Sequence, residues 1–420
     1  MRRRFPYPVP LVCLLSLLLL WSAGCPPPPA PPPKAPPAPP PPPPPKPKIT
    51  AVVAGPADNF AIQSDGVVWG WGDNRQGQLG REGGGTVTAP VVLDALRGVQ
   101  SICAGGQHSG AVKADGTLVL WGAPGRGRLG PNEPDGSKPQ LQPLAVPLSG
   151  KVKQVGCGGS HTLALLADGS VWAWGRNDDY QLGVGRPTGW RDRDNPGQDS
   201  KTPVRPDGVP AAAAIAVSGE ANFVLTSDGQ LVGWGHSMLT LFRKAKLYNI
   251  TGSLQNIKQL AGAPKALMVL LADGSVWCRG ECHYVPAARR AELKAEPEAA
   301  YVQMPTQAVH ADWVQVSELS GIKHLAVGPG MQFLAAAGDG RVYVWGNIFE
   351  ADYRDGGWKK RFVPRVMEGL KDVVAVASGR VHSLALDSAG TLWAWGINEQ
   401  GQLGTGSTTG SSTPVEVVFE

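Results

Sequence analysis

From Gly158 the chain reads GGSHTLALLADGSVWAWGRNDDYQLG: two short apolar runs, rich in β-branched and aromatic residues, flank an Asp-Gly pair, and a polar tail follows. Runs of this length bounded by turn formers predict strands, and Asp-Gly between them predicts a two-residue β-hairpin turn. The pattern recurs as IQSDGVVWGWG, VKADGTLVLWG, LTSDGQLVGWG, LLADGSVWCRG, AAAGDGRVYVWG and LDSAGTLWAWG. Its turn glycines are Gly66, Gly116, Gly169, Gly229, Gly274, Gly340 and Gly390, and each is followed six residues later by a closing glycine, Gly72, Gly122, Gly175, Gly235, Gly280, Gly346 and Gly396. Apolar stretches before the hairpins (VKQVGCGG, VVAVASGR) and after them (APVVL, TPVRP, TPVEVV) supply two more strands per unit. Four antiparallel strands per repeat of roughly 53 residues make a propeller blade. The expected fold is therefore all-β: a seven-bladed β-propeller over residues 48–420, with one short helix at AARRAELKAE.

Tryptophans two apart, such as Trp69 and Trp71, Trp172 and Trp174, or Trp393 and Trp395, share one face of a strand and are expected to pack between blades. His108, His161 and His382 all stand eight residues before a turn glycine, where the other repeats carry Asp58, Ala221, Ala266 and Gln332. A repeated position on separate blades predicts a structural hydrogen bond inside each blade, and no metal site.

The entries Gln107-His108-Ser109, Ser160-His161-Thr162 and Val381-His382-Ser383, the WG endings and the tails NRQGQLG and NEQGQLG resemble the repeats of the regulator of chromosome condensation family. The resemblance covers residues 49–420 and implies a closed seven-bladed ring. Founding members are nuclear exchange factors for a small GTPase, and exported bacterial relatives include β-lactamase inhibitors that bind through one face of the ring.

The leader points away from the nucleus. Residues 1–25, MRRRFPYPVPLVCLLSLLLLWSAGC, show three arginines, an apolar run too short to span a bilayer and a small-residue ending, the order of a secretory signal. The ending Ser22-Ala23-Gly24-Cys25 resembles a bacterial lipobox, which makes Cys25 the expected lipid anchor and the outer membrane or cell surface the expected location. Residues 26–47 hold 17 prolines in 22 positions and predict a stiff polyproline II linker.

Composition narrows the function. The formal charge of +5 comes from the leader and linker: their Arg2, Arg3, Arg4, Lys34 and Lys46, with Lys48 just beyond, stand among no acids, and without them the remainder carries about −1. A near-neutral body argues against nucleic acid as a partner. No GxSxG, P-loop, HExxH or calcium-loop pattern occurs, so no catalytic residue and no cofactor is expected. Cys278 and Cys282, followed by His283, are spaced one residue too far for haem attachment and are expected to form a disulfide, as exported proteins favour. Cys103 and Cys157 read as small buried residues in equivalent strands of neighbouring blades, with a bond between them as the alternative.

Insertions occur only after the closing glycines and should project from one rim. Repeats one, two, three and seven keep a QLG or RLG tail; four, five and six exchange it for longer aromatic and basic inserts and should form one sector. Within that sector and beside it, Trp190, Tyr248, Trp313, Trp358 and Phe362 are the candidate contacts for a protein partner. A monomeric, membrane-anchored binding module is the leading expectation, ahead of an enzyme with its site on the variable face or in the axial channel, and of a purely structural envelope protein.

Overall fold

In the computed structural model, residues 47–184, 198–237, 242–290, 309–349 and 358–420 are described, and residues 47–420 form one compact unit. Seven four-stranded antiparallel sheets follow one another, each made of strands consecutive in sequence. The first blade runs Ile49–Ala54, Asp58–Gln63, Val68–Asp73 and Thr86–Val92, from the axis outward. The last runs Val373–Ser378, His382–Asp387, Leu392–Gly396 and Ser411–Val417. The propeller predicted from the repeats is thus the fold observed. The helix begins at Ala287–Arg290, and the rest of AARRAELKAE lies outside the described residues.

The hairpin turns differ from the expected two-residue type. In blade one the amide of Gly66 donates to the Gln63 carbonyl (2.9 Å) and that of Gln63 to the Val67 carbonyl (2.8 Å), a three-residue loop closed by a glycine bulge. Gly66 has φ 83°, and the turn glycines of all seven blades share this left-handed conformation, which a side chain would strain. The aspartate beforehand keeps negative φ and accepts a hydrogen bond from a downstream amide: Asp65 from Val67 (3.1 Å), Asp115 from Thr117 (2.8 Å), Asp168 from Ser170 (2.8 Å). That local bond explains the Asp-Gly pair without any further role.

Burial follows the pleat. The tryptophan just before the closing glycine in six of the seven hairpins, Trp71, Trp121, Trp174, Trp234, Trp345 or Trp395, is enclosed, and apolar residues of the second strands fill the space between neighbouring sheets. The cluster around Trp71 draws on blades one, two and seven together, with Trp121, Leu384, Leu392 and Val417 in contact with Phe60 and Val68. First and last blades therefore meet, and the ring closes.

The expected Cys278–Cys282 disulfide is not formed, and the alternative left open for Cys103 and Cys157 is the one observed. Cys103 and Cys157, on the inner strands of blades two and three, form a disulfide with Cα atoms 5.5 Å apart, whereas Cys278 and Cys282 are free thiols, both buried. The inner strands converge on the axis, so residues of adjacent inner strands come within bridging distance even though Cys157 stands one position further along its repeat than Cys103. Cys282 sits just past the end of its strand, and burial together with the neighbouring Cys278 thiol pushes its own thiol pKa up, keeping it protonated and inert.

Candidate binding face

Every connection from a third strand to an outer strand leaves the ring at the same end as the turn between the inner and second strands. The described tails therefore share one rim with the mouth of the axial channel, and the strand ends that flank the inserts lie at that same end. That mouth is a cavity of about 340 Å³ to which all seven blades contribute, with glycines 55, 105, 106, 158, 159, 219 and 262 dominating its wall and Arg380 as its charged member. The glycines are needed for closeness: a Cβ on Gly105 would lie 2.6 Å from the Gly158 carbonyl oxygen, and one on Gly379 2.7 Å from that of Gly55.

The QLG tails are locks between blades. In blade one the side-chain oxygen of Asn74 accepts the Leu79 amide (3.0 Å) and that of Gln78 accepts the Gln76 amide (2.8 Å), which folds the tail on itself. The freed Gln78 carbonyl then accepts Trp121 Nε1 (2.6 Å) and Ser109 Oγ (2.9 Å) of the next blade. Arg128 does the same for Trp174 and Thr162 (3.1 and 2.9 Å), Gln181 for Trp234 and Asn222 (3.0 and 2.8 Å), and Gln402 for Trp71 and Asn59 (2.9 Å each), the last across the closing seam. In blade five, without a tail, the Cys282 carbonyl takes this place for Trp345 (3.1 Å).

The histidines belong to the same seams. Their bonds run between blades, not inside them: His108 Nε2 meets Thr162 Oγ1 at 3.0 Å, His161 Nε2 meets Asn222 Oδ1 at 2.9 Å, and His382 Nε2 meets Asn59 Oδ1 at 2.6 Å. Burial, with nearby positive charge in the case of His108, holds His108 and His382 down at about 3. Asp58, at the corresponding place in blade one, is pushed up to about 7 by burial and by the charge of Asp73. The signs oppose each other. Below about pH 6.5 the unfolded chain binds protons that the buried imidazoles refuse, so each histidine weakens the fold as pH falls, by up to about 1.4 kcal/mol per pH unit. Asp58 holds a proton that the unfolded chain lacks between about pH 4 and 7, so its contribution weakens the fold as pH rises. The histidines outnumber it, and stability should decline from pH 6.5 to 4.5. Asp58→Asn, which removes the opposing group, should steepen that decline in denaturant titrations; an unchanged slope would contradict the assignment.

Ion pairs decorate the rim over blades two to four: Arg126 with Asp178 (2.8 Å) and Asp199 (3.3 Å), and Arg176 with Asp178 (3.0 Å) and Glu220 (3.6 Å); the His236 ring stands 3.6 Å from the Asp179 carboxylate beside them. All are partly exposed, so they shape the surface more than they stabilise it.

Of the sequence-derived contact residues, the side chains of Tyr248, Trp313 and Phe362 are described, and these three pack inward or lie half-buried. Trp190 and Cys25 lie outside the described residues. Tyr248 is half-buried against the core between blades four and five; Trp313, packed on the same core, donates its Nε1 to the Ile250 carbonyl (2.6 Å). Phe362 is buried, its ring 6.0 Å from that of His283. Trp358 pairs through its backbone with Phe349, and its side chain lies outside the description. Trp313 and Phe362 thus tie the divergent repeats to the ring. Among the described residues, no group of three His, Cys, Asp or Glu side chains is arranged to hold a metal ion.

Geometry and locks define a class: a seven-bladed propeller whose blades are joined through tail carbonyls. The Regulator of chromosome condensation (RCC1) repeat matches residues 65–112, 115–165, 168–225 and 389–420, and a second description of that repeat matches 152–181 and 373–402. The mitochondrial RCC1 domain-containing protein RUG3 of Arabidopsis thaliana is 33% identical over 365 residues, covering 84% of this chain and 67% of that protein. The E3 ubiquitin-protein ligase HERC2 of Mus musculus is 31% identical over 374 residues, 83% of this chain, but the chain spans only 7% of the length of HERC2. The crystal structure of human WBSCR16 superposes with a TM-score of 0.69 at 22% identity, covering 84% of this chain and 95% of that one. The chain belongs to the regulator of chromosome condensation repeat family.

Proposed function

We propose that the protein is an exported, lipid-anchored binding module that holds a protein partner on the rim carrying its tails and inserts. The observation that carries this reading is the division of the ring into a locked frame and one variable end. Rigid scaffolds place their recognition residues on such loops. The Cys103–Cys157 disulfide supports export, since such bonds persist in oxidising compartments. The leader and Cys25 supply the anchor, and the proline-rich linker a spacer that stands the ring clear of the membrane.

Two measurements test it. Changing Cys25→Ser should release the protein from membranes and abolish fatty-acid labelling, with the propeller's melting temperature unchanged; a wild-type chain that takes up no fatty-acid probe overturns the anchor. Photo-crosslinkers placed at Gln107 and Arg126 on the rim should capture a partner in intact cells, whereas those at the exposed Asp115 and Asp228 turns of the opposite end should not. Equal capture from both ends would remove the rim as the contact.

A further inference from the structure

The outer strand of a blade is a sheet edge, and an unguarded edge is a template for another strand. Five of the seven outer strands here are guarded in one way. Each outer strand shifts register against its neighbour just before the residue paired with Gly70, Leu120, Ala173, Val344 or Ala394, and the residue immediately preceding that partner is Pro90, Pro143, Pro203, Pro364 or Pro414. Backbone direction shows what the proline blocks. The amides of Leu93 and Met367 donate inward, to Val68 and Val342, so by alternation the position three residues earlier faces the free outer edge. Proline there removes an outward N–H that an incoming strand would use.

Blades four and five depart from this rule. The residues paired with Gly233 and Cys278 are Tyr248 and Val314, so the guarding position holds Leu247 and Trp313, both with an N–H. The inward bonds of Ile250 to Leu231 and of Val316 to Val276 place both amides on the outer side. Among the described residues no strand pairs with either edge. The two edges differ in chemistry. Blade five's strand, Val309–Gln315, contains Asp312, whereas blade four's, Phe242–Asn249, reads FRKAKLYN with Arg243, Lys244, Lys246 and no acid.

We propose that the outer edge of blade four, Phe242–Asn249, binds an extended, acidic segment of a protein partner by strand addition. The inference rests on the protein-binding reading above and deepens it: main-chain hydrogen bonds would supply affinity, and the basic residues the preference for acid. The variant that tests it is already present in five blades. Leu247→Pro installs the guard in a register the fold accepts, so the ring should stay folded with a melting temperature close to wild type.

Decapeptides selected from a random display library on the full-length chain, with Leu247→Pro protein as the counter-selection target, should be net acidic. The best of them, synthesised and titrated by fluorescence polarisation, should bind the Leu247→Pro protein at least tenfold more weakly. Methylating alternate backbone nitrogens or exchanging its acids for lysines should cost as much, and the peptide should protect the amides of 242–249 from hydrogen exchange. Equal binding to wild type and variant, neutral or basic selected sequences, or no enrichment would each overturn the proposal. So would a wild-type dimer in sedimentation that Leu247→Pro converts to monomer, because the occupant would then be a second copy. If rim crosslinking still captures a partner in any of these cases, the binding function stands and only this edge is wrong.

Discussion

A chain ending at Gly396 should fail to form a stable propeller, although it keeps twenty-seven of the twenty-eight described strands. The residues removed supply one outer strand and the tail half of the closing seam, whose inner part, the His382–Asn59 bond and the Arg380 amide on the Pro56 carbonyl, would remain. The Gln402 carbonyl accepts both Trp71 Nε1 and Asn59 Nδ2, the Gly406 amide reaches the Thr88 carbonyl (2.8 Å), and the Phe419 ring stands edge-on to Trp69 and Trp71 at 5.4 and 6.0 Å. Leu403 and Val417 belong to the core around Trp71. Exposing a buried tryptophan and its neighbours costs about 3–5 kcal/mol by comparison with Trp→Ala substitutions, before the two lost hydrogen bonds are counted. A domain's total stability is about 5–15 kcal/mol, so the loss should leave little. Circular dichroism and denaturant titration decide the matter: a truncated chain with the full-length midpoint would show that the ring needs no closure. A milder version, Trp71→Phe, keeps most of the apolar volume but removes the donor, and should cost about 1–3 kcal/mol.

The second large effect concerns the disulfide. Cys103 and Cys157 are 54 residues apart in sequence, and closing a loop of that length in the unfolded chain removes entropy worth about 4 kcal/mol on the chain-entropy account. Replacing both by serine should lower unfolding free energy by about that amount, and reductant should destabilise the wild type but leave the double variant unchanged. The free pair provides an internal check. Cys278 and Cys282 are buried, so alkylating reagent should miss them in the native ring and label both on unfolding without reductant. Labelling of Cys103 and Cys157 under those conditions would show the bond to be absent.

The blades were legible because their signals are local: a glycine at φ near 85°, an aspartate two residues from the amide it holds, and side-chain alternation across a hairpin all act within a few residues. What the sequence hid acts across seams. His108 meets Thr162 and His161 meets Asn222, partners 54 and 61 residues away in the next repeat, and no periodicity within one repeat points to them. The tail was visible as a motif, but its purpose lies in a backbone carbonyl, which carries no residue signature. Cys103 and Cys157 offered one usable clue, their place on adjacent inner strands, whereas the nearness of Cys278 to Cys282 along the chain suggested a bond that the structure does not contain. Trp313 and Phe362 show the limit of composition as a guide: both are aromatic residues of divergent repeats, and both turn inward to hold those repeats on the ring.

The locks also mean that the unit of inheritance is not the blade. Carbonyl and indole of each lock sit in successive repeats, so exchanging one repeat for a foreign copy alters two seams, one through the tail it brings and one through the tryptophan it offers. One seam of the divergent sector shows this matching: blade four has lost its tail, and blade five, which would have used it, carries Arg279 in place of the locking tryptophan; at the next tailless seam but one, blade seven keeps Trp395 with its buried Nε1 unbonded among the described residues. Grafting a consensus repeat into that stretch would restore a lock only where donor and acceptor are both supplied: a tail placed on blade six would meet the waiting Trp395, whereas one placed on blade four would meet Arg279.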